Sequence, residues 1–137
     1  MKKNLKQTLH GKKLKATPTR LKILELFSKN ACSPISAENI QTKLKKYRLD
    51  LATIYRNLIA FEKFGLIKKI ELQQKADYFE LAGHHHHHII CKKCGQIEKF
   101  SQCNLESLKN NLLRHSKNFD TVTDHSLEFF GLCRQCK

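Results

Sequence analysis

Asp50-Leu51-Ala52-Thr53-Ile54-Tyr55-Arg56-Asn57-Leu58-Ile59-Ala60-Phe61-Glu62-Lys63-Phe64-Gly65 is the stretch on which the fold turns. Asp50 is placed to cap a helix over 51–64. Leu51, Ile54, Tyr55, Leu58, Ile59 and Phe61 recur at three- and four-residue spacing, and Gly65 follows the last turn. Small residues at Ala52 and Thr53 let the start of this helix come close to another surface. Tyr55 offers a flat ring and Arg56 a planar fork, the two shapes that suit a thymine methyl and a guanine edge or phosphate. The same residues also suit a half-buried tyrosine and an ordinary surface charge.

Upstream, residues 3–10 form a short helix ended by Gly11. Thr17-Pro18 opens a second helix through Ser28, with Thr17 as its cap, and Leu21, Ile23, Leu24 and Phe27 supply the apolar side. Asn30 to Pro34 is a break. Ser36-Ala37-Glu38-Asn39 begins a third helix, with Ile40 and Leu44 inward. Downstream, Leu66 to Leu72 reads as a strand, Gln73 to Lys75 as a turn and Asp77 to Leu81 as the returning strand. Helices followed by a two-stranded hairpin are the layout of a winged helix-turn-helix, whose last helix would enter a major groove.

Charge and ligand chemistry then separate along the chain. The protein has 137 residues and a net charge of +14, enough to imply an anionic partner. Residues 1–83 hold 18 Lys/Arg against 7 Asp/Glu, whereas residues 84–137 hold 8 against 5. Five of six cysteines and seven of eight histidines lie after residue 83. The reading is a winged-helix domain over 1–81, a joint at Ala82-Gly83, and a metal-ligand domain over 84–137. In the latter, strands are expected at His86–Ile90, Gln96–Phe100 and Val122–Leu132, with a helix from 104 to about 116. The class is α+β. No apolar run suits a signal peptide or a membrane span, so a cytoplasmic protein without a membrane partner is expected. No P-loop, dinucleotide-binding glycine pattern or nucleophile elbow occurs, and no catalytic constellation stands out.

Cys91-Lys92-Lys93-Cys94 and Cys133-Arg134-Gln135-Cys136 share one spacing. Two residues between thiolates let both sulfurs of a tight turn reach one ion, and two such turns complete a closed tetrahedral zinc site. A redox dithiol or unrelated surface thiols are the alternatives. His84 to His88 runs directly into Ile89-Ile90-Cys91. On a strand, His86 and His88 face one way and His85 and His87 the other, so one run can serve two metal sites. A solvated polyhistidine turn is the alternative. Glu80, Glu106 and His125 are possible partners for these histidines. Mixed nitrogen and oxygen ligation suits zinc, iron(II), manganese, nickel or cobalt.

The motifs Thr17-Pro18-Thr19-Arg20, Ser36-Ala37-Glu38, Ala52 to Leu58, Tyr78 to Leu81, His84 to Cys94 and His125 through Cys136 resemble the ferric uptake regulator (Fur) family of bacterial metal-dependent repressors, over nearly the whole chain. The resemblance implies a winged-helix DNA-binding domain and an α/β dimerisation domain. It implies a homodimer that binds an A/T-rich inverted repeat in double-stranded DNA and represses metal-uptake genes. It places structural zinc on Cys91, Cys94, Cys133 and Cys136. A regulatory zinc or iron falls on Glu80, His86 and His88 between the domains, and a further site on His85, His87, Glu106 and His125. DNA contacts fall on Lys15, Tyr55 and Arg56, next to Thr53.

Two departures from the family pattern stand out. Many members carry a histidine where this chain has Pro34, which leaves the inter-domain site incomplete, completed by Cys32, or completed by water. Cys103 is not required by the ferric pattern, and a thiolate there would tilt selectivity toward zinc; the iron, peroxide-sensing and zinc uptake regulator branches all stay open. The competing class is a zinc-binding interaction or storage module whose basic face meets RNA or an acidic protein.

Overall fold

The computed structural model describes residues 2–137, which divide into two compact units, the first ending at His84 and the second spanning His85–Lys137. The first contains α1 (Lys2–Gly11), α2 (Pro18–Lys29), β1 (Ile35–Ser36), α3 (Ala37–Lys43), a 3₁₀ turn at Lys45–Tyr47, α4 (Leu51–Lys63), β2 (Ile67–Ile70) and β3 (Tyr78–Leu81). The second contains β4 (His87–Cys91), β5 (Ile97–Phe100), α5 (Glu106–His115) and β6 (Glu128–Gly131). The architecture is α+β. No helix among the described residues is long and apolar enough to cross a membrane.

The helix starts follow from their caps. Thr17 is extended and its hydroxyl accepts the Arg20 N–H, ahead of Pro18 at the first helical position. Ser36 and Asn39 form a reciprocal capping box at α3. That box explains why α3 begins at Ala37, while Ser36 itself remains extended as the end of β1. β1 is the strand that sequence periodicity missed, because two residues carry no period. It pairs antiparallel with β3 through Ile35↔Phe79 and Ser36↔Tyr78, so the expected hairpin is a three-stranded sheet in the order β1-β3-β2.

The helices and the wing enclose one apolar core that includes Ile23, Leu24, Phe27, Ile40, Ile54, Leu58, Phe61 and Phe79. In α4, positions 51, 54, 58 and 61 form the inward stripe. Ile59 lies one residue off that stripe and is 61% exposed, contrary to its expected place in the core.

In the second unit the sheet order is β5-β4-β6. β4 and β5 are an antiparallel pair, and β6 runs parallel to β4. A parallel neighbour requires a crossover, which the segment carrying α5 supplies. The expected last strand is shorter than its sequence suggested. Only Glu128–Gly131 pairs, and residues 122–127 are irregular.

Candidate metal centres and nucleic-acid interface

The four-cysteine cluster is assembled by the register of β4 and β6. Cys91 ends β4 opposite Gly131, so the chain leaving β6 delivers Cys133 beside it. The Lys92 N–H donates to the Gly131 carbonyl at 2.8 Å, which fixes the approach. Gly95 N–H closes the first knuckle onto the Cys91 carbonyl at 2.9 Å, and its φ of +75° is a conformation glycine adopts without strain. The second knuckle closes through Cys136 N–H to the Cys133 carbonyl at 3.0 Å.

One ligand atom from each of Cys91, Cys94, Cys133 and Cys136 lies within 4.8 Å of the others. Cys94 Sγ and Cys133 Sγ are 3.7 Å apart. Zinc–sulfur bonds of about 2.3 Å in a tetrahedron put sulfurs about 3.8 Å apart, so the cluster fits zinc. The thiols also differ in their readiness to ionise. The backbone N–H of Cys133, donating to Cys91 Sγ at 3.3 Å, and amides of the first knuckle lower the Cys91 thiol to about 6. Hydrogen bonds with the Cys133, Cys94 and Cys91 sulfurs raise Cys136 to about 12. Backbone amides stabilise one thiolate, and a dication is what lets its neighbours ionise as well.

The histidine run divides into two pairs, although only His87 and His88 lie within β4 and residues 84–86 are irregular. His86 and His88 have ring centroids 4.8 Å apart and both are buried. His85 and His87 form the other pair, at 5.0 Å. Glu80 is buried on β3 of the first unit, where Lys68 Nζ approaches its Oε1 at 3.1 Å. The structure brings His85 and His87 together with His125 and Cys103, all four ligand atoms within 4.8 Å of one another. It does not bring Glu106 to them. That carboxylate lies at the start of α5, largely exposed and 3.4 Å from Lys109 Nζ. Cys32 is half-buried in the turn before β1.

On the first unit, α4 presents an outward stripe of Ala52, Arg56, Ile59 and Lys63, spaced four, three and four residues apart. Its first turn is braced internally. Asp50 accepts the Thr53 N–H at 2.7 Å and the Thr53 hydroxyl at 2.9 Å, and these bonds hold its carboxyl below the ordinary value of 3.8. Thr53 Oγ1 in turn accepts from Arg56 Nη2 at 3.1 Å, which positions the guanidinium along the stripe. Tyr55 is half-buried, and desolvation together with the Glu38 carboxylate pushes its phenol up.

Lys15 has an exposed side chain, and its carbonyl accepts from Arg20 Nη1 at 3.0 Å. Arg20 Nε donates to Asn57 Oδ1 at 3.2 Å, tying the start of α2 to α4. Two contributors therefore escaped sequence reading. Arg20 braces the helix, and Ile59 stands on its outer stripe. Only the four-three spacing of Ala52, Arg56 and Ile59 carried a signal for the latter.

Comparison with known proteins places nearly the whole chain among relatives of one family. The model of the ferric uptake regulator family matches residues 11–130. The ferric uptake regulation protein of Neisseria gonorrhoeae is 36% identical over 127 residues, covering 90% of this chain and 87% of that protein. The peroxide-responsive repressor PerR of Staphylococcus epidermidis is 34% identical over 125 residues, covering 90% of this chain and 82% of that protein. Among solved structures, the Vibrio cholerae ferric uptake regulator superposes with a TM-score of 0.79 at 35% identity, covering 93% of this chain and 98% of that one.

Proposed function

The chain belongs to the ferric uptake regulator family and is a metal-responsive transcriptional regulator, and from that premise we propose that it represses metal-uptake genes as a homodimer on an A/T-rich inverted repeat. The observation that carries this reading is the presence of two kinds of ligand set in one protein. The four cysteines form a closed, all-sulfur set suited to a permanent structural zinc. The histidine pairs offer nitrogen ligands beyond that need, and such ligands suit an ion that exchanges.

In this reading Glu80, His86 and His88 take the regulatory zinc or iron. These residues flank Ala82-Gly83, the proposed joint, where Gly83 has a φ of +99° that favours glycine. A ligand set drawn from both sides of the joint stabilises one arrangement of the two halves over others, and specific DNA binding is coupled to that arrangement. His85, His87 and His125 form the second candidate set. The basic first unit supplies general attraction to phosphate. Arg56 and Tyr55 read bases, while Lys15 and Thr53 position the helix. Exposed Ile89, Phe129 and Leu132 on and beside the sheet, with Leu108 and Leu112 on α5, support a second copy of the chain as partner.

A DNA-shift titration with and without zinc or iron(II), on an A/T-rich inverted repeat and on scrambled duplex, tests the reading. Metal-stimulated, salt-sensitive and sequence-selective binding is expected. Arg56→Ala should weaken it by about 1–3 kcal/mol. His86→Ala should abolish the response to metal; loss in His125→Ala instead would move the sensor to the second set. Equal binding to both duplexes irrespective of metal overturns the proposal.

A further inference from the structure

We infer that Cys103, and not Glu106, completes the second histidine set, making a three-histidine, one-thiolate site for a tetrahedral, borderline-soft divalent ion of the zinc and cobalt class. The inference rests on the reading of these histidines as metal ligands.

Both neighbours of β4 contribute. β5 pairs His87 with Phe100, so the chain leaving β5 carries Cys103 past the His87 end of the sheet. β6 pairs His88 with Glu128, so the segment entering β6 brings His125 to the same end. The result is a connected set of ligand atoms. His125 Nε2 lies 3.5 Å from His87 Nε2 and 3.8 Å from Cys103 Sγ. The His85 ring centroid is 4.9 Å from that of His125 and 5.0 Å from that of His87. Bonds of about 2.0–2.1 Å to nitrogen and 2.3 Å to sulfur in a tetrahedron imply nitrogen–nitrogen edges near 3.3 Å and nitrogen–sulfur edges near 3.6 Å. The His125–His87 and His125–Cys103 separations need only a small contraction to reach them, and all four ligand atoms lie within 4.8 Å of one another.

The orientation of His87 is already set. Its Nδ1 lies 3.1 Å from the Leu127 carbonyl, which can only accept, so Nδ1 carries the proton and Nε2 presents its lone pair toward His125. A backbone carbonyl fixes a ligating histidine in this way in established metal sites. Glu106, in contrast, is paired with Lys109 on the solvent side of α5.

The chemistry follows from the fourth ligand. A carboxylate there would make an all-nitrogen-and-oxygen site, which iron(II) and manganese enter readily. A thiolate adds softness and favours four-coordination, which suits zinc and cobalt(II) and disfavours manganese and magnesium.

Cobalt(II) reports directly on sulfur ligation through thiolate-to-metal charge-transfer absorption. The full chain, with its four-cysteine site filled by zinc, is titrated with cobalt(II). A charge-transfer band is expected in the parent protein. It should vanish in Cys103→Ser and persist in Glu106→Gln. Cys103→Asp should keep cobalt bound but without the band, which separates loss of a ligand from loss of the fold. Zinc should displace the cobalt, and manganese(II) should not.

No band in the parent, a band surviving in Cys103→Ser, or a band lost in Glu106→Gln overturns the assignment. So does displacement by manganese. DNA binding is scored separately. A parent with the band but no metal-stimulated DNA binding loses the regulatory reading and keeps the site; the reverse pattern loses the site and keeps the regulator.

Discussion

The two units solve the problem of stability in opposite ways. The first buries an aliphatic and aromatic core, with Phe27, Phe61, Ile23, Leu24, Ile40, Ile54 and Leu58 all at 0–1% exposure. In the second, Ile90 and Cys91 are the only buried apolar side chains among the described residues, and the other buried side chains are His86, His87 and His88. No residue of α5 is buried, although its leucines line one side. A unit of that size with so little apolar burial lies below what a hydrophobic core alone supports. Candidate ligands lie buried where an apolar core would be, and a zinc held by the four cysteines would tie β4 to β6 where apolar packing does not. The comparison teaches that the first unit carries a core of its own, whereas the second places candidate metal ligands where a core would be.

The strongest way to break that contrast is to remove the zinc. Structural zinc contributes on the order of 10 kcal/mol in small domains, comparable to or larger than a typical domain's net stability. Chelation, or Cys94→Ser, is therefore expected to abolish the cooperative unfolding of the second unit. Helical circular dichroism from the first unit should remain. If chelator leaves both transitions in place, the second unit holds itself together by other means.

A smaller effect tests the other side. Phe61 is fully buried among the helices, and Phe61→Ala should cost about 3–5 kcal/mol through lost contacts and the cavity left behind. Thermal unfolding should show the first transition moving and the zinc content unchanged. Parallel movement of both transitions would mean that the units do not unfold independently.

The smallest expected effect sharpens the description of α4. Because Thr53 holds the folded Asp50 carboxyl below 3.8, the cap contributes fully above the unfolded value and is lost as pH falls through the lower, folded one. Hydrogen exchange at the Thr53 amide should therefore accelerate, beyond its intrinsic pH dependence, only in strong acid. Asp50→Asn, which keeps an acceptor but cannot ionise, should remove that acid dependence. An unchanged acid response in the variant would assign it to another carboxylate.

Local signals were legible where the residue type alone carries the physics. Thr17-Pro18 and Asp50 announce helix starts because hydroxyl and carboxylate oxygens accept free amides, and both caps form. The expected pairing of His85 with His87 and of His86 with His88 is present, although the strand itself begins only at His87. The paired C-x-x-C spacing announced one cluster, and its four sulfurs converge. Other features depended on partners distant in the chain. β1 exists because Phe79 and Tyr78 lie beside it, and two residues have no periodicity to read. The segment 122–127 has strand-like composition but no partner in the ladder, which ends at Glu128. Ile59 has a core residue's chemistry and a surface residue's angle.

By itself the sequence determined the α+β class, the basic first half, the winged-helix order and the sulfur and imidazole ligand types, because composition, capping and periodicity are local properties. Only the tertiary structure decided how the candidate ligands come together in space. Cys91 meets Cys133 through the parallel register of β4 with β6. Cys103 reaches His87 and His125 because β5 and β6 flank β4 at the same end, whereas Glu106 turns outward with α5. Ligation requires atoms within a few ångströms of one another, and for residues separated by 16 to 45 positions strand register sets that distance.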